Sequence, residues 1–218
     1  MPFGYPVMLE LAGRRCVVIG SLAVREGKVE GLLAAGATDI LVVASAPDAR
    51  LSDLEELSEV VVERRTWRAD DLNGAFVVVA SSADAGEREA IAREARCRRA
   101  LVNVMDDIPN CDWSAPAIVR RGELVLSIAT GGASPALAKQ LRGALSEEFG
   151  EEWSGVVSVL RAVREETTPS LPDVATRAQR WSDALDLDEA ATLVREGRSE
   201  ELASRLRTRL LDPEGART

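Results

Sequence analysis

The sequence predicts an α/β protein: a doubly wound parallel-sheet domain, then a small β module, then a helical C-terminal domain. Three observations carry this. Continuous Val/Ile/Leu runs recur through about the first 110 residues with helical patterns between them, and strands apolar on both faces belong to parallel sheets covered by crossover helices. "APAIVRRGELVLSIAT" (115–130) reads instead as two short strands around Arg121-Gly122, a hairpin pattern. From Glu151 onward the chain is nearly all helical in pattern.

In chain order, "RCVVIG" (15–20) is the first strand, and residues 24–35 form a helix closed by Gly36. "DILVVAS" (39–45), "EVVVERR" (59–65) and "GAFVVVASS" (74–82) are the next three strands. The helix "EREAIAREARC" (87–97) leads to a fifth strand, "ALVNVMD" (100–106). After the hairpin come two glycines, Ser134 as an N-cap candidate, and Pro135 at the first helical position. In the tail, Trp153, Val156, Val159, Leu160 and Val163 form one apolar face, with breaks expected at "TTPSLPD" (167–173) and Gly197. The expected divisions are 1–113, 114–146 and 147–218.

Composition narrows the function classes. A net charge of −9 and a pI near 4.8 argue against a nucleic-acid binder, which needs a basic surface to release counterions. No segment approaches the roughly 18 apolar residues that span a bilayer, and the first residues lack a signal-peptide pattern, so a cytoplasmic protein with no membrane partner is expected. Cys16, Cys97 and Cys111 are odd in number without C-x-x-C spacing and read as thiols in a reducing compartment. The chain has no histidine. His-based triads, HExxH zinc sites and imidazole acid/base chemistry are thereby excluded, which leaves carboxylates, hydroxyls and a bound cofactor.

Three stretches could carry chemistry. "VVIGSLAVREG" meets the G-x-G-x-x-G/A register at Gly20 but places Leu22 and Arg25 in the second and third positions. It reads as a dinucleotide turn with altered glycines or as an α/β turn without ligand. No acid closes the second strand, so ribose recognition falls to Ser45 or backbone groups. "VNVMDDIPNCDW" sets Asn103, Asp106 and Asp107 at the carboxyl end of the fifth strand, where open α/β sheets collect ligands; Asp106 is a candidate base, and capping of a loop is the plainer reading. "IATGGASPALAKQLR" exposes backbone amides at a helix N-terminus, suited to carboxylates or phosphates, and is equally a simple cap.

Together, "YPVMLELAGRRCVVIG…KVEGLLAAGA" and "LVNVMDDIPNCDWSAPAIVRRGELVLSIATGGASPALAKQLR" resemble the precorrin-2 dehydrogenase family, the stand-alone counterpart of the N-terminal module of siroheme synthase. The resemblance implies a Rossmann-like NAD-binding domain, a dimerisation module that also bears on the substrate site, and a helical domain. It implies NAD-dependent oxidation of precorrin-2 to sirohydrochlorin, with ferrous iron as a further substrate in some members, and a homodimer. Carried residue by residue, it makes Asp106 catalytic. It assigns the cofactor to Gly20, Ser21, Leu22, Ala23, Val24, Ser45, Ala46 and Ser82. Asn103, Gly131, Gly132, Ser134 and Lys139 go to the tetrapyrrole, with Lys28, Arg120 and Arg121 as further partners for its carboxylates. The departures cluster in the turn that should cradle NAD. The second reading is therefore a tetrapyrrole-binding or chelatase-only protein whose NAD site has degenerated, and the third a scaffold without catalysis.

Overall fold

The computed structural model describes residues 4–46 and 48–212, and the chain divides into two compact units, Met1–Ala115 and Pro116–Thr218. In the first, β1 (Arg15–Ile19), β2 (Asp39–Val43), β3 (Val60–Glu63), β4 (Ala75–Ala80) and β5 (Leu101–Val104) pair in parallel in the order β3-β2-β1-β4-β5. All five expected strands are present. Successive side chains alternate between faces, so Cys16 and Val18 pack with Val24, Val29, Leu32, Leu51 and Leu54, while Val17 and Ile19 pack with Ile91, Ala92 and Ala95. Both faces are therefore covered, one by the helices α1 (Ser21–Arg25), α2 (Lys28–Ala34) and α3 (Arg50–Glu55), the other by α4 (Ala85–Cys97). This is the physical source of the continuous apolar runs.

The helix expected over 24–35 is in fact two. α1 starts directly at Ser21, and Gly27, at φ 69°, turns the chain before α2. Glycine takes this left-handed conformation without steric cost, so the apolar periodicity runs on while the hydrogen-bond ladder is interrupted. Gly36, at φ 86°, closes α2 as expected, and the Ala37 amide bonds back to the Leu32 carbonyl. The expected fifth strand also ends early: β5 stops at Val104, and Asp106 sits in a turn at φ 59°.

Parallel pairing gathers the carboxyl ends of the strands along one edge. Because β2 and β4 flank β1 on opposite sides, the direction of winding reverses between β1 and β4, and ligand crevices of such sheets open there. Gly20 leaves β1 at this point with φ 92°. A Cβ on Gly20 would lie 2.2 Å from the Ser81 carbonyl oxygen and 2.5 Å from its Oγ. Gly20 is therefore demanded twice, by conformation and by the approach of β4's end.

The second unit opens with the antiparallel hairpin β6 (Ala117–Arg121) and β7 (Leu124–Ile128), turned by Gly122 at φ 56°. The helices α5 (Pro135–Glu148), α6 (Glu152–Thr167), α7 (Val174–Ala184), α8 (Leu187–Arg195) and α9 (Ser199–Leu211) follow. Val156, Val163, Leu171, Leu193, Leu202, Leu206 and Leu210 make a core to which Trp153, Val159 and Leu160 add, so the predicted face of α6 is the buried one. The expected breaks separate α6 from α7 and α8 from α9. α5 buries no residue, and the hairpin buries Val119 alone.

Gly20→Ala and Gly36→Ala separate conformation from crowding. Neither position favours an L side chain, a cost of about 1–2 kcal/mol, but nothing lies within 4 Å of a Cβ on Gly36. Gly36→Ala should lose about that much in urea denaturation, and Gly20→Ala about 3 kcal/mol or more, because overpacking is added. Equal losses would contradict the Ser81 contact.

Candidate functional site

The site is built on the carboxyl edge of the sheet. At the β1 turn, the Ala23 amide donates to Ser81 Oγ at 3.0 Å, and Ser81 Oγ lies 3.3 Å from the Ile19 carbonyl. Ser81 is buried, 8% exposed. Its hydroxyl thus caps the first turn of α1 from across the sheet, a role usually given to a side chain next in sequence. The amides of Ser21 and Leu22 make no hydrogen bond among the described residues. They are the donors that this turn offers at the positive end of a short helix, and they suit a pyrophosphate. Leu22 is 42% exposed, whereas Ala23 and Val24 are wholly buried. Val24 is a packing residue here, and Ala23 offers neither its amide nor its methyl.

At the end of β2, Ser45 and Ala46 are exposed, and Ser21 Oγ donates to the Ala46 carbonyl at 3.4 Å. Arg25, in the third glycine position, reaches Asp48 at 3.5 Å, and Asp48 also accepts the Arg50 amide at 3.0 Å. The bulk at position 25 is therefore directed into a bridge to the β2 loop. The donor set, two free amides after a positive-φ glycine with open backbone at the end of β2, fits a dinucleotide.

At the ends of β4 and β5 the side chains form a network. Ser82 Oγ donates to Glu87 and accepts the Asp84 amide at 3.1 Å, and Glu87 also accepts from Trp67 Nε1 at 2.9 Å. Asn103 donates to the Trp113 carbonyl at 2.8 Å. Ser82 and Asn103 are thus engaged in loop structure. Cys111 fastens the turn after β5: its Sγ accepts the Val104 amide at 3.2 Å and donates to the Val104 carbonyl at 3.1 Å. Burial pushes this thiol's pKa up, which keeps the proton needed for that bond. Burial likewise raises the Cys16 thiol to about 11.

The two aspartates differ sharply. Asp107 Oδ2 accepts from Arg88 Nε at 2.8 Å and Asn110 Nδ2 at 3.1 Å, and the Arg88 guanidinium holds the carboxyl below its usual range. Asp106 is exposed, and among the described residues its carboxylate has no hydrogen bond or ion pair. The two side chains part because Asp106 occupies a left-handed turn position; an extended strand would have parted them by alternation.

In the second unit, Ser134 Oγ accepts the Leu137 amide at 3.1 Å, so the serine is a true N-cap, and Pro135 takes the first helical position. Thr130 Oγ1 receives the Ser134 amide at 3.3 Å. Gly131 and Gly132 are exposed, with φ 61° and 81°. Lys139 is exposed, three residues from Arg142 on one helix face, and neither they nor Arg120 forms an ion pair among the described residues. Arg121 differs: its guanidinium donates to the Ser146 carbonyl and hydroxyl at 3.0 and 2.8 Å, which commits it to holding β6 on α5. Among the described residues, no group of three or more Asp, Glu, Cys or His could hold a metal, and no helix is long and apolar enough to cross a membrane.

Strand order, switch point and free amides together define a dinucleotide-binding α/β domain. Residues 7–117 match the family model described as "Putative NAD(P)-binding", and the chain belongs to that family. The chain is 30% identical over 196 residues to a siroheme synthase of Methylococcus capsulatus, covering 90% of this chain and 41% of the relative. It is 32% identical over 182 residues to that of Chromobacterium violaceum, covering 84% and 38%. The chain thus spans about two fifths of the length of these curated relatives. A solved structure named "SirC, precorrin-2 dehydrogenase" superposes with a TM-score of 0.70 at 27% identity, covering 93% of this chain and 98% of that one.

Ser81, which the sequence reading did not single out, has a direct test. Ser81→Ala removes the cap of α1 and leaves the buried Ala23 amide unpaired, so a loss of about 1–2 kcal/mol is expected in urea denaturation. Ser82→Ala, on a partly exposed loop, should cost less; the reverse order would refute this assignment.

Proposed function

We propose that this chain oxidises precorrin-2 to sirohydrochlorin in siroheme biosynthesis, with NAD as oxidant. The observation that carries the reading is Asp106: a carboxylate without a hydrogen-bond or ion-pair partner among the described residues, held at the carboxyl end of β5 on the edge that bears the dinucleotide turn. The likeness to SirC over almost the full length of both chains supports it. When bound, NAD supplies a hydride acceptor. The amides of Ser21 and Leu22 would hold its pyrophosphate, and Ser45 and Ala46 its ribose. With no histidine in the chain, Asp106 is the group we assign to take the protons that leave the substrate.

The substrate's carboxylates need local cations in a protein of net charge −9. Arg120, Lys139 and Arg142, without acid partners among the described residues, would supply them along with the amides of Gly131 and Gly132. Lys28, in the first unit, is a candidate by the resemblance alone, and Arg121 drops out because Ser146 engages it. The reading as a protein with a degenerate NAD site is not favoured, since the NAD(P)-binding family match spans the altered turn. Cytoplasmic residence, and the division of the second unit at residue 146 into a dimerisation module and a helical domain, belong to this proposal. An anaerobic assay of precorrin-2 oxidation, continued with ferrous iron, decides whether metal insertion follows oxidation.

Asp106→Asn keeps size and hydrogen bonding but cannot take up a proton. Turnover of precorrin-2, followed by absorbance under anaerobic conditions, should fall roughly 10²- to 10⁴-fold while the melting temperature holds. Near-normal turnover would remove Asp106 from the reaction.

A homodimer is the second part of the proposal. The hairpin and α5 leave Ile118, Leu137 and Leu141 between 41% and 47% exposed, and a two-stranded ribbon is marginal without further packing. Light scattering at micromolar concentration should give twice the 23.4 kDa chain mass, and Leu137→Asp with Leu141→Asp should give the single mass. A monomeric wild type refutes the dimer.

A further inference from the structure

Among the described residues the Asp106 side chain makes no hydrogen bond or ion pair, so its position is set by the backbone of its turn. That turn is fastened on one side by the Val104–Cys111 pair and the Asp107 amide, which bonds to the Val104 carbonyl at 3.2 Å. On the other side stands Arg88, from the first turn of α4. Its Nε donates to Asp107 at 2.8 Å, and its Nη1 donates to the Ser82 and Ala83 carbonyls at 3.0 and 3.1 Å. Both partners are largely buried, with side chains 25% and 14% exposed. The loop that Arg88 grips follows Ser81, whose hydroxyl caps α1. One guanidinium therefore ties the turn bearing Asp106 to the loop that organises the dinucleotide turn.

We infer that Arg88 is a positioning residue, which holds Asp106 in register with the dinucleotide turn by clamping Asp107 to the loop after β4. The fork geometry is essential: a planar guanidinium satisfies a carboxylate and two carbonyls at once, which a lysine ammonium on a flexible stem does poorly. The non-glycine left-handed conformation of Asp106 is a local cost that surrounding bonds must offset. The inference rests on the proposed dehydrogenase reading for its kinetic consequence and on the geometry alone for its structural one.

The test uses Arg88→Met, Arg88→Lys and Asp107→Asn in the full chain. Each should lower kcat for precorrin-2 at least tenfold while KM for NAD moves less than twofold, and Arg88→Met combined with Asp107→Asn should be no slower than the worse single variant. Hydrogen exchange is read on the same proteins. The amides of Asp107, Asn110 and Cys111, bonded within this turn, should exchange at least tenfold faster in Arg88→Met, with the amides of β1 unchanged. Unchanged exchange in the turn overturns the clamp whatever the activity. Faster exchange with normal kcat overturns its positioning role. Wild-type protein without turnover sinks the proposed function and this kinetic role with it, while exchange still decides the clamp. Should Arg88→Met fail to fold, Arg88→Lys and Asp107→Asn carry both measurements.

Discussion

The approach of β4's end to the β1 turn is the constraint on which the rest of the site depends. Ser81 and Gly20 are pressed together where a side chain on residue 20 would overlap a carbonyl oxygen. The close approach lets a buried hydroxyl reach the Ala23 amide, and that bond starts α1 at Ser21. The first-turn amides of Ser21 and Leu22 remain for a ligand. Of the three glycines usual in such a turn, Gly20 is the one that the protein's own strand packing demands.

Around this contact, polar groups on the sheet edge are consumed in graded fashion. Ser82, Glu87, Asn103, Cys111 and Asp107 all bond to neighbouring loops. These bonds replace the regular ladder that ends with each strand and stiffen irregular backbone, whose amides and carbonyls need partners when partly buried. Among the described residues, the Asp106 carboxylate and the Ser21 and Leu22 amides of α1 stand out by being left free. Chemistry is assigned to them because the fold has already satisfied what surrounds them.

The second unit divides its work differently. α6 to α9 enclose an apolar core, while the hairpin and α5 present apolar and cationic side chains outward. A helix whose apolar residues are all partly exposed gains little from its own chain, so its order depends on capping by Ser134, on Pro135 and on Arg121 bonding to Ser146.

Much of this was legible in the residues. Unbroken Val/Ile/Leu runs located all five strands, because burial on both faces leaves no polar position to hide them. Gly36, Ser134-Pro135 and Gly122 marked their turns through local backbone chemistry, and the pairing of an aspartate with the end of β5 followed from the strand pattern. Other features were not legible. The apolar period runs through Gly27 while the helix does not. Met105 and Asp106 extend the look of a strand that stops at Val104. α3 has too short a pattern to stand out. Ser81 cannot be told from Ser82 by sequence, since their roles depend on which hydroxyl faces β1, and Asp107 separates from Asp106 only when Arg88, nineteen residues earlier, swings against it. Periodicity, caps and turns are properties of neighbours along the chain and are written there. The partners of a hydroxyl, an amide or a guanidinium lie tens of residues away, and they meet only after parallel pairing has brought the strand ends to one edge.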